Sequence, residues 1–338
     1  MNTVIKSGRL RYFANRVMMV EPTNFYYNQE TAQDNEFMTN LKEDDNLLEE
    51  TSSKEISSLS IEHVALQQHQ DLRKAIEDSG ITVMNYKQQT KDLPDSLFPN
   101  NWVSVHQYPQ LMDQKVVWVY PMKVPTRQRE VNQQIVNDLL GDDGHCIDFT
   151  SYNLTSQVLE GTGVLIFDPL NHKIYAGISQ RWELDVWEHL IEELNKKSIV
   201  PFKLVTFNAK TPNGTPIYHT NVMMSILSHH AVICLDSISD PEEKEKVVNE
   251  LSSPDLNEFP RKIIDLSPDE ILTMWGNILW VVDNQGKAWV IMSSTAFNGY
   301  SDENRKELES HYKIIHSDVS TIEKIGGGSA RCMVAEVF

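Results

Sequence analysis

Short apolar, β-branched runs alternate along this chain with stretches whose apolar positions recur every three to four residues. The runs Arg16–Val20, Ile81–Asn85, Lys115–Tyr120, Gly163–Phe167, Lys173–Ile178, Lys203–Phe207, Ala231–Leu235, Ile278–Val282 and Ala288–Met292 predict strands. The longer period predicts helices over Ile61–Ser79, Gln128–Leu140, Leu184–Lys196, Glu242–Leu251, Pro268–Met274 and Glu303–Tyr312. Two of these carry start signals. Asp240-Pro241-Glu242-Glu243 offers an acidic cap, a proline at the first helical position and acid in the first turn, and Ser267-Pro268-Asp269-Glu270 is a capping box. The alternation predicts an α/β fold. No fixed repeat period is visible in the pattern.

Composition narrows the partners. The chain has 338 residues, a net charge of −18 and 40% hydrophobic content. At about 150 residues per domain the length permits two domains, but it suits one large catalytic domain equally well. We expect a single domain over residues 1–338 with ample apolar material for a core. The acidity argues against nucleic acid and against an anionic membrane surface, both of which attract basic patches. It leaves anionic small molecules open, since one local Arg overrides the global field. No apolar run approaches the ~18 residues of a membrane span, and Met1–Val20 lacks a signal-peptide pattern. Cys146, Cys234 and Cys332 fit neither a disulfide framework nor a zinc spacing, so a cytoplasmic setting is expected. Residues 29–60, rich in Asp, Glu, Asn, Ser and Thr, read as an acidic surface insertion that forms a solvated face without a specific role.

Four segments stand apart from ordinary core or surface. Phe98-Pro99-Asn100-Asn101-Trp102 sets two amides in a rigid turn; taken alone, a plain Asx-turn explains it. Leu159-Glu160-Gly161-Thr162-Gly163 puts a carboxylate beside two glycines, where backbone approaches a ligand closely, although the glycines also suit a simple bend into a strand. With no helix expected to follow, nucleotide binding is set aside. Tyr218-His219-Thr220-Asn221 holds a histidine and an amide two residues apart, on one face of an extended segment. A lone histidine is more often a surface or hydrogen-bonded core residue. Last comes Gly326-Gly327-Gly328-Ser329-Ala330-Arg331-Cys332. Three glycines exclude a regular element, and a cysteine beside an arginine has the setting of an activated thiol. The apolar Met333–Phe338 that follows must pack, which argues against a mere linker.

In this order, and together with Pro22-Thr23-Asn24-Phe25, these strings resemble the pentein superfamily of arginine deiminases, amidinotransferases and dimethylarginine hydrolases. The likeness spans nearly the whole chain and looks nearest to the citrulline-hydrolase branch. It implies a five-bladed α/β propeller with its site near the axis. It also implies roles: Cys332 as nucleophile, His219 as general acid/base and Glu160 as the carboxylate binding the planar substrate head. Asn24, Phe25, Asn100, Asn101, Asn221 and Arg181 are the implied substrate contacts, with Arg181 on the substrate α-carboxylate. Asn101 and Asn221 stand where arginine-processing relatives carry aspartates. A guanidinium is cationic and offers only donors, whereas a ureido group is neutral and also has an acceptor oxygen, which an amide matches. The two amides therefore favour citrulline over arginine, with no metal or organic cofactor required. An arginine or substituted-arginine deiminase, an amidinotransferase and an inactive binding protein are the alternatives, and a homo-oligomer is compatible with all of them. Glu21, Trp182 and Trp275 depart from the pattern, and at the entrance they would select a different substrate tail.

Overall fold

The computed structural model describes residues 13–39, 58–88, 90–108, 112, 114–198, 200–253 and 260–338. Fifteen strands among them form five three-stranded sheets of one design. The sheets comprise β15-β1-β2 (Ala335–Val337, Arg16–Glu21, Thr82–Lys87), β3-β4-β5 (Val103–His106, Val116–Val119, His145–Asp148), β6-β7-β8 (Ile166–Asp168, Lys173–Gly177, Lys203–Phe207), β9-β10-β11 (Met224–Ile226, His230–Ile233, Lys262–Asp265) and β12-β13-β14 (Leu279–Val282, Ala288–Ser293, Lys313–Ser317). In each the central strand pairs antiparallel on one side and parallel on the other. A parallel neighbour requires a crossover, and helices supply it. These are α1 (Ser58–Asp78), α2 with α3 (Pro125–Gln128, Gln133–Leu140), α5 (Leu184–Lys197), α6 (Pro241–Ser252) and α8 with α9 (Ser294–Gly299, Asp302–Glu309), while the short α4 (Gly161–Val164), α7 (Pro268–Leu272) and a final α10 (Ser320–Gly326) lie in the links from one blade to the next. The fold is a five-bladed α/β propeller.

The first blade is completed by the last strand. Met18 lies opposite Ala335 and Arg16 opposite Val337, so the two ends of the fold are closed by one ladder. The antiparallel first strands of the blades, β15, β3, β6, β9 and β12, face the axis, with β15 against β3, β6 against β9 and β9 against β12. Buried apolar side chains fill the spaces between the sheets and helices. No helix among the described residues is long and apolar enough to cross a membrane.

The structure corrects several boundaries. β3, β5, β9, β11, β14 and β15 were not expected; they are three to five residues long and several have polar ends, as in Lys262-Ile263-Ile264-Asp265. The strand expected at Gly163–Phe167 starts late, because Gly163 and Val164 donate to the Glu160 carbonyl and coil into α4. The glycine pair thus lies inside a single helical turn, and a strand follows it. The helix expected over Gln128–Leu140 is broken where Asn132 accepts from Gln134 N and Ile135 N and starts α3 anew. The expected Pro268–Met274 helix stops at Leu272, ahead of Met274 at φ +63°. Both start signals hold: Asp240 caps α6, and Ser267 and Glu270 close their box.

Residues 29–39 are not a solvated face. Glu30 accepts from Thr126 N and Oγ1, Thr31 donates to buried Asp95, and Asp34 binds Arg181 and Lys123. The rest of the expected insertion, residues 40–57, lies outside the described residues.

Candidate active site

Each axial strand is preceded by a turn that ends the crossover from the blade before it, and the polar strings of the sequence occupy these turns. Asn101 ends the 3₁₀ turn before β3, and Glu160 stands before α4 and β6. His219 and Asn221 precede β9, Asn277 precedes β12, and Cys332 precedes β15. Polar residues of these five turns thus occupy one structural position, repeated around the axis.

The nucleophile candidate is buried and 3% exposed. Asn277 Nδ2 lies 3.2 Å from Cys332 Sγ and Asn221 Nδ2 3.6 Å from it. The same Asn277 accepts through Oδ1 from the backbone of Arg331 (3.0 Å) and Cys332 (3.3 Å). Asn277 therefore holds both the loop and the sulfur. Gly327, at φ +63°, makes the preceding turn, and its carbonyl accepts from Tyr218 Oη at 2.7 Å. Burial pushes the Cys332 thiol above its ordinary value, opposed by the Ser329 backbone, Asn277, Arg331 and Asn221. Arg331 thus lowers the thiol in the expected direction, but burial outweighs it. The Arg331 guanidinium turns away, to the Val334 carbonyl (3.0 Å) and Glu336 (3.3 Å).

His219 Nε2 lies 2.8 Å from Glu160 Oε2. Glu160 is wholly buried, and its oxygens also accept from Lys123 N (2.9 Å) and Arg181 Nη1 (2.9 and 3.0 Å). Burial alone would raise this carboxyl, but the Arg181 guanidinium and then the bond to His219 hold it well below the usual range. Burial lowers His219, and the Glu160 bond and charge oppose it. At neutral pH the resting pair is a neutral imidazole on an ionised carboxylate.

Asn101 is fixed from behind. Arg127 Nη1 donates to its Oδ1 at 2.8 Å, while Arg127 Nε and Nη2 hold Glu130 at 3.0 Å each. This leaves Asn101 Nδ2 buried and without a protein partner. A Cβ on Gly163 would stand 2.3 Å from that nitrogen and 3.1 Å from the His219 ring, so only glycine fits between the two. Asn101, His219, Cys332, Arg127 and Asp95 line one small pocket.

Of the remaining candidates, Arg181 lines the same pocket, Asn221 adjoins it, and the others face elsewhere. Arg181 is fully buried and spends its fork on Glu160 and Asp34 instead of offering it to a carboxylate. Asn221 sits against the sulfur. Asn100 is buried with its amide unpaired, and its carbonyl accepts from Thr162. Asn24 donates to the Lys91 carbonyl, and Phe25 packs in the apolar cluster containing Phe98 and Met333. Glu21 accepts from Asn85, and Trp275 stacks on Tyr300, so neither lines the pocket. Sequence reasoning missed Asp34, Asp95, Arg127 and Asn277. Only Asn277 carried a usable signal, as a polar residue immediately before a predicted strand.

The five-bladed ring of ββαβ units around these turns, with the family match that follows, identifies the protein as a member of the pentein superfamily. Residues 21–338 match the family described as N,N dimethylarginine dimethylhydrolase, eukaryotic, and the chain belongs to that family. It is 27% identical over 211 residues to the uncharacterized protein YkgA of Bacillus subtilis (strain 168), covering 62% of this chain and 61% of that protein. The match thus spans about three fifths of that relative's length. Among solved structures, the substrate-bound mutant N-terminal domain of ArgZ, an arginine dihydrolase from Cyanobacteria, superposes with TM-score 0.66 at 18% identity, covering 95% of this chain and 97% of that one. A dimethylarginine dimethylaminohydrolase adduct with 4-chloro-2-hydroxymethylpyridine gives 0.59 at 16% identity, covering 96% and 99%. At these identities the likeness concerns the fold.

Proposed function

We propose that this pentein hydrolyses the carbon–nitrogen bond of a ureido group, converting citrulline to ornithine, ammonia and carbon dioxide. The observation that carries the reading is Asn101. Its amide is oriented by Arg127, so a lone N–H₂ donor faces the pocket, where a ureido oxygen is the complementary acceptor. In the reaction, Cys332 Sγ attacks the ureido carbon and its proton passes to His219. Glu160 stabilises the imidazolium so formed, as a buried carboxylate does for a neighbouring histidine. His219 returns the proton to the departing amine, leaving an S-carbamoyl cysteine. Water, deprotonated by His219, releases carbamate, which decomposes to ammonia and carbon dioxide.

One observation favours a second reading, hydrolysis of a guanidino group as in arginine or N,N-dimethylarginine. Asp95 Oδ1 is buried without a partner at the pocket wall, and a carboxylate oxygen suits a guanidinium N–H. The family description points the same way. The deciding experiment offers citrulline, arginine and N,N-dimethylarginine separately to purified protein, beside a Cys332→Ala control. Ornithine from citrulline, absent in the control, supports the ureido reading. Citrulline from either guanidino substrate replaces it with the second. No turnover of any of the three sinks both.

A further inference from the structure

On the far wall of the fourth and fifth blades, the first residue of β10 meets the end of α9. His230 Nε2 lies 2.9 Å from Glu307 Oε1, and one ring nitrogen of His311 completes a trio whose ligand atoms all lie within 4.8 Å of one another. None of the three lines the catalytic pocket. We propose that His230, Glu307 and His311 form a binding site for a borderline divalent cation of the zinc, cobalt or nickel type, which clamps the fourth blade to the fifth.

Four observations carry this. The donor set, two imidazoles and a carboxylate, is the type that such ions take, whereas calcium and magnesium prefer oxygen alone. The spacing is close: metal–ligand bonds of about 2.0–2.2 Å give a tetrahedron with edges of roughly 3.4 Å, so closure needs side-chain shifts of only about 1 Å. His311 Nδ1 is buried without a hydrogen-bond partner. Lastly, outer partners orient the rings. Tyr312 Oη is 3.3 Å from His230 Nδ1, so it can accept that nitrogen's proton when Nε2 binds metal, and the His229 ring stacks on His311 at 4.4 Å. Lys262 contacts the other Glu307 oxygen at 2.9 Å; its side chain is 61% exposed and leaves Oε1 available.

The clamp is tested by titrating Co²⁺ into the full chain, wild type and Cys332→Ala, following the visible spectrum and thermal unfolding. The Cys332→Ala chain removes the one pocket thiol that competes for the ion. We expect one equivalent to bind in both chains without a thiolate charge-transfer band. The unfolding midpoint should rise with Co²⁺ concentration, as for any ligand of the native state. His311→Ala and Glu307→Gln should each weaken binding by at least about tenfold, the least that losing even an outer partner of a metal ligand costs. His311 is only partly buried, so His311→Ala is expected to keep its metal-free midpoint and decides the matter if Glu307→Gln folds poorly. Binding that survives His311→Ala, or that disappears with Cys332→Ala, overturns the proposal, as does no binding in the parent.

Discussion

Asn101→Asp tests the substrate assignment at a single atom. The Arg127 bond to Oδ1, 2.8 Å long, is available to an aspartate as well, so the side chain keeps its anchor. What changes is the other terminal atom, a buried N–H₂ donor with no protein partner, which becomes an acceptor. Glu130 already pairs Arg127 through two bonds, so the new carboxylate adds negative charge without completing an ion pair. A ureido oxygen brought there would lose its donor and meet a lone pair. Leaving a buried polar group unsatisfied costs about 1–3 kcal/mol, and more when it is charged. Taking about 3 kcal/mol, kcat/KM for citrulline should fall roughly a hundredfold. A guanidino substrate, which presents only N–H donors, should be unchanged or improved. The assay is kcat/KM for citrulline and arginine in wild type and variant, with the unfolding midpoint confirming that the near-isosteric change leaves the fold intact. A citrulline-to-arginine ratio that moves less than threefold, or that moves toward citrulline, refutes the reasoning.

Three further outcomes follow from the same geometry. Gly163→Ala should lower activity about a hundredfold with an unchanged circular dichroism spectrum, because its Cβ drives Asn101 and His219 apart by an amount comparable to a 1 Å misplacement; wild-type rates would refute it. Alkylation of Cys332 by iodoacetamide should climb with pH through and beyond the ordinary thiol range, since burial raises the group. Asn277→Ala should shift that curve further up by removing a donor to sulfur, and a plateau below neutrality would contradict both statements. His69, buried and pushed down to about 3 by burial and by Arg73, stays neutral in the folded protein while the unfolded chain protonates near 6.5. The unfolded state then binds the extra proton, so stability is lost as pH falls from 6.5 toward 3, at about 1.4 kcal/mol per unit. Urea unfolding at several pH values should show His69→Leu reducing this slope; His106, lowered likewise to about 3, keeps part of it.

The chemistry of the chain was easier to read than its architecture. Amides, glycines and a cysteine clustered before apolar runs are conspicuous because loops that carry function tolerate residues that strands reject. The fivefold repeat was not conspicuous, and the crossovers explain why. One is the 21-residue α1, another is split by an Asn132 cap into α2 and α3, and a third carries α6 followed by residues outside the described set. Units of such unequal length leave no constant period. Asp34 was hidden for a different reason. It lies in a polar stretch whose composition looks solvated, and only the fold brings it to Arg181.

Arg331 and Arg181 show what neighbours in sequence cannot supply. Arg331 adjoins Cys332 along the chain, yet its guanidinium is directed to Glu336 and a carbonyl, and its charge does not overcome the burial of the sulfur. Arg181 reads as a free fork for a ligand, yet its charge is what keeps fully buried Glu160 ionised. On the proposed mechanism, these contacts favour activation after substrate entry. Burial raises the Cys332 thiol and lowers the His219 imidazole, so each is favoured in its neutral form. Two amide donors at the sulfur and a locked carboxylate behind the imidazole favour the charged pair once an electrophilic carbon is present to accept the sulfur's electrons. On the proposed mechanism, the nucleophile would thereby stay a thiol, the less oxidation-prone form, until substrate binds.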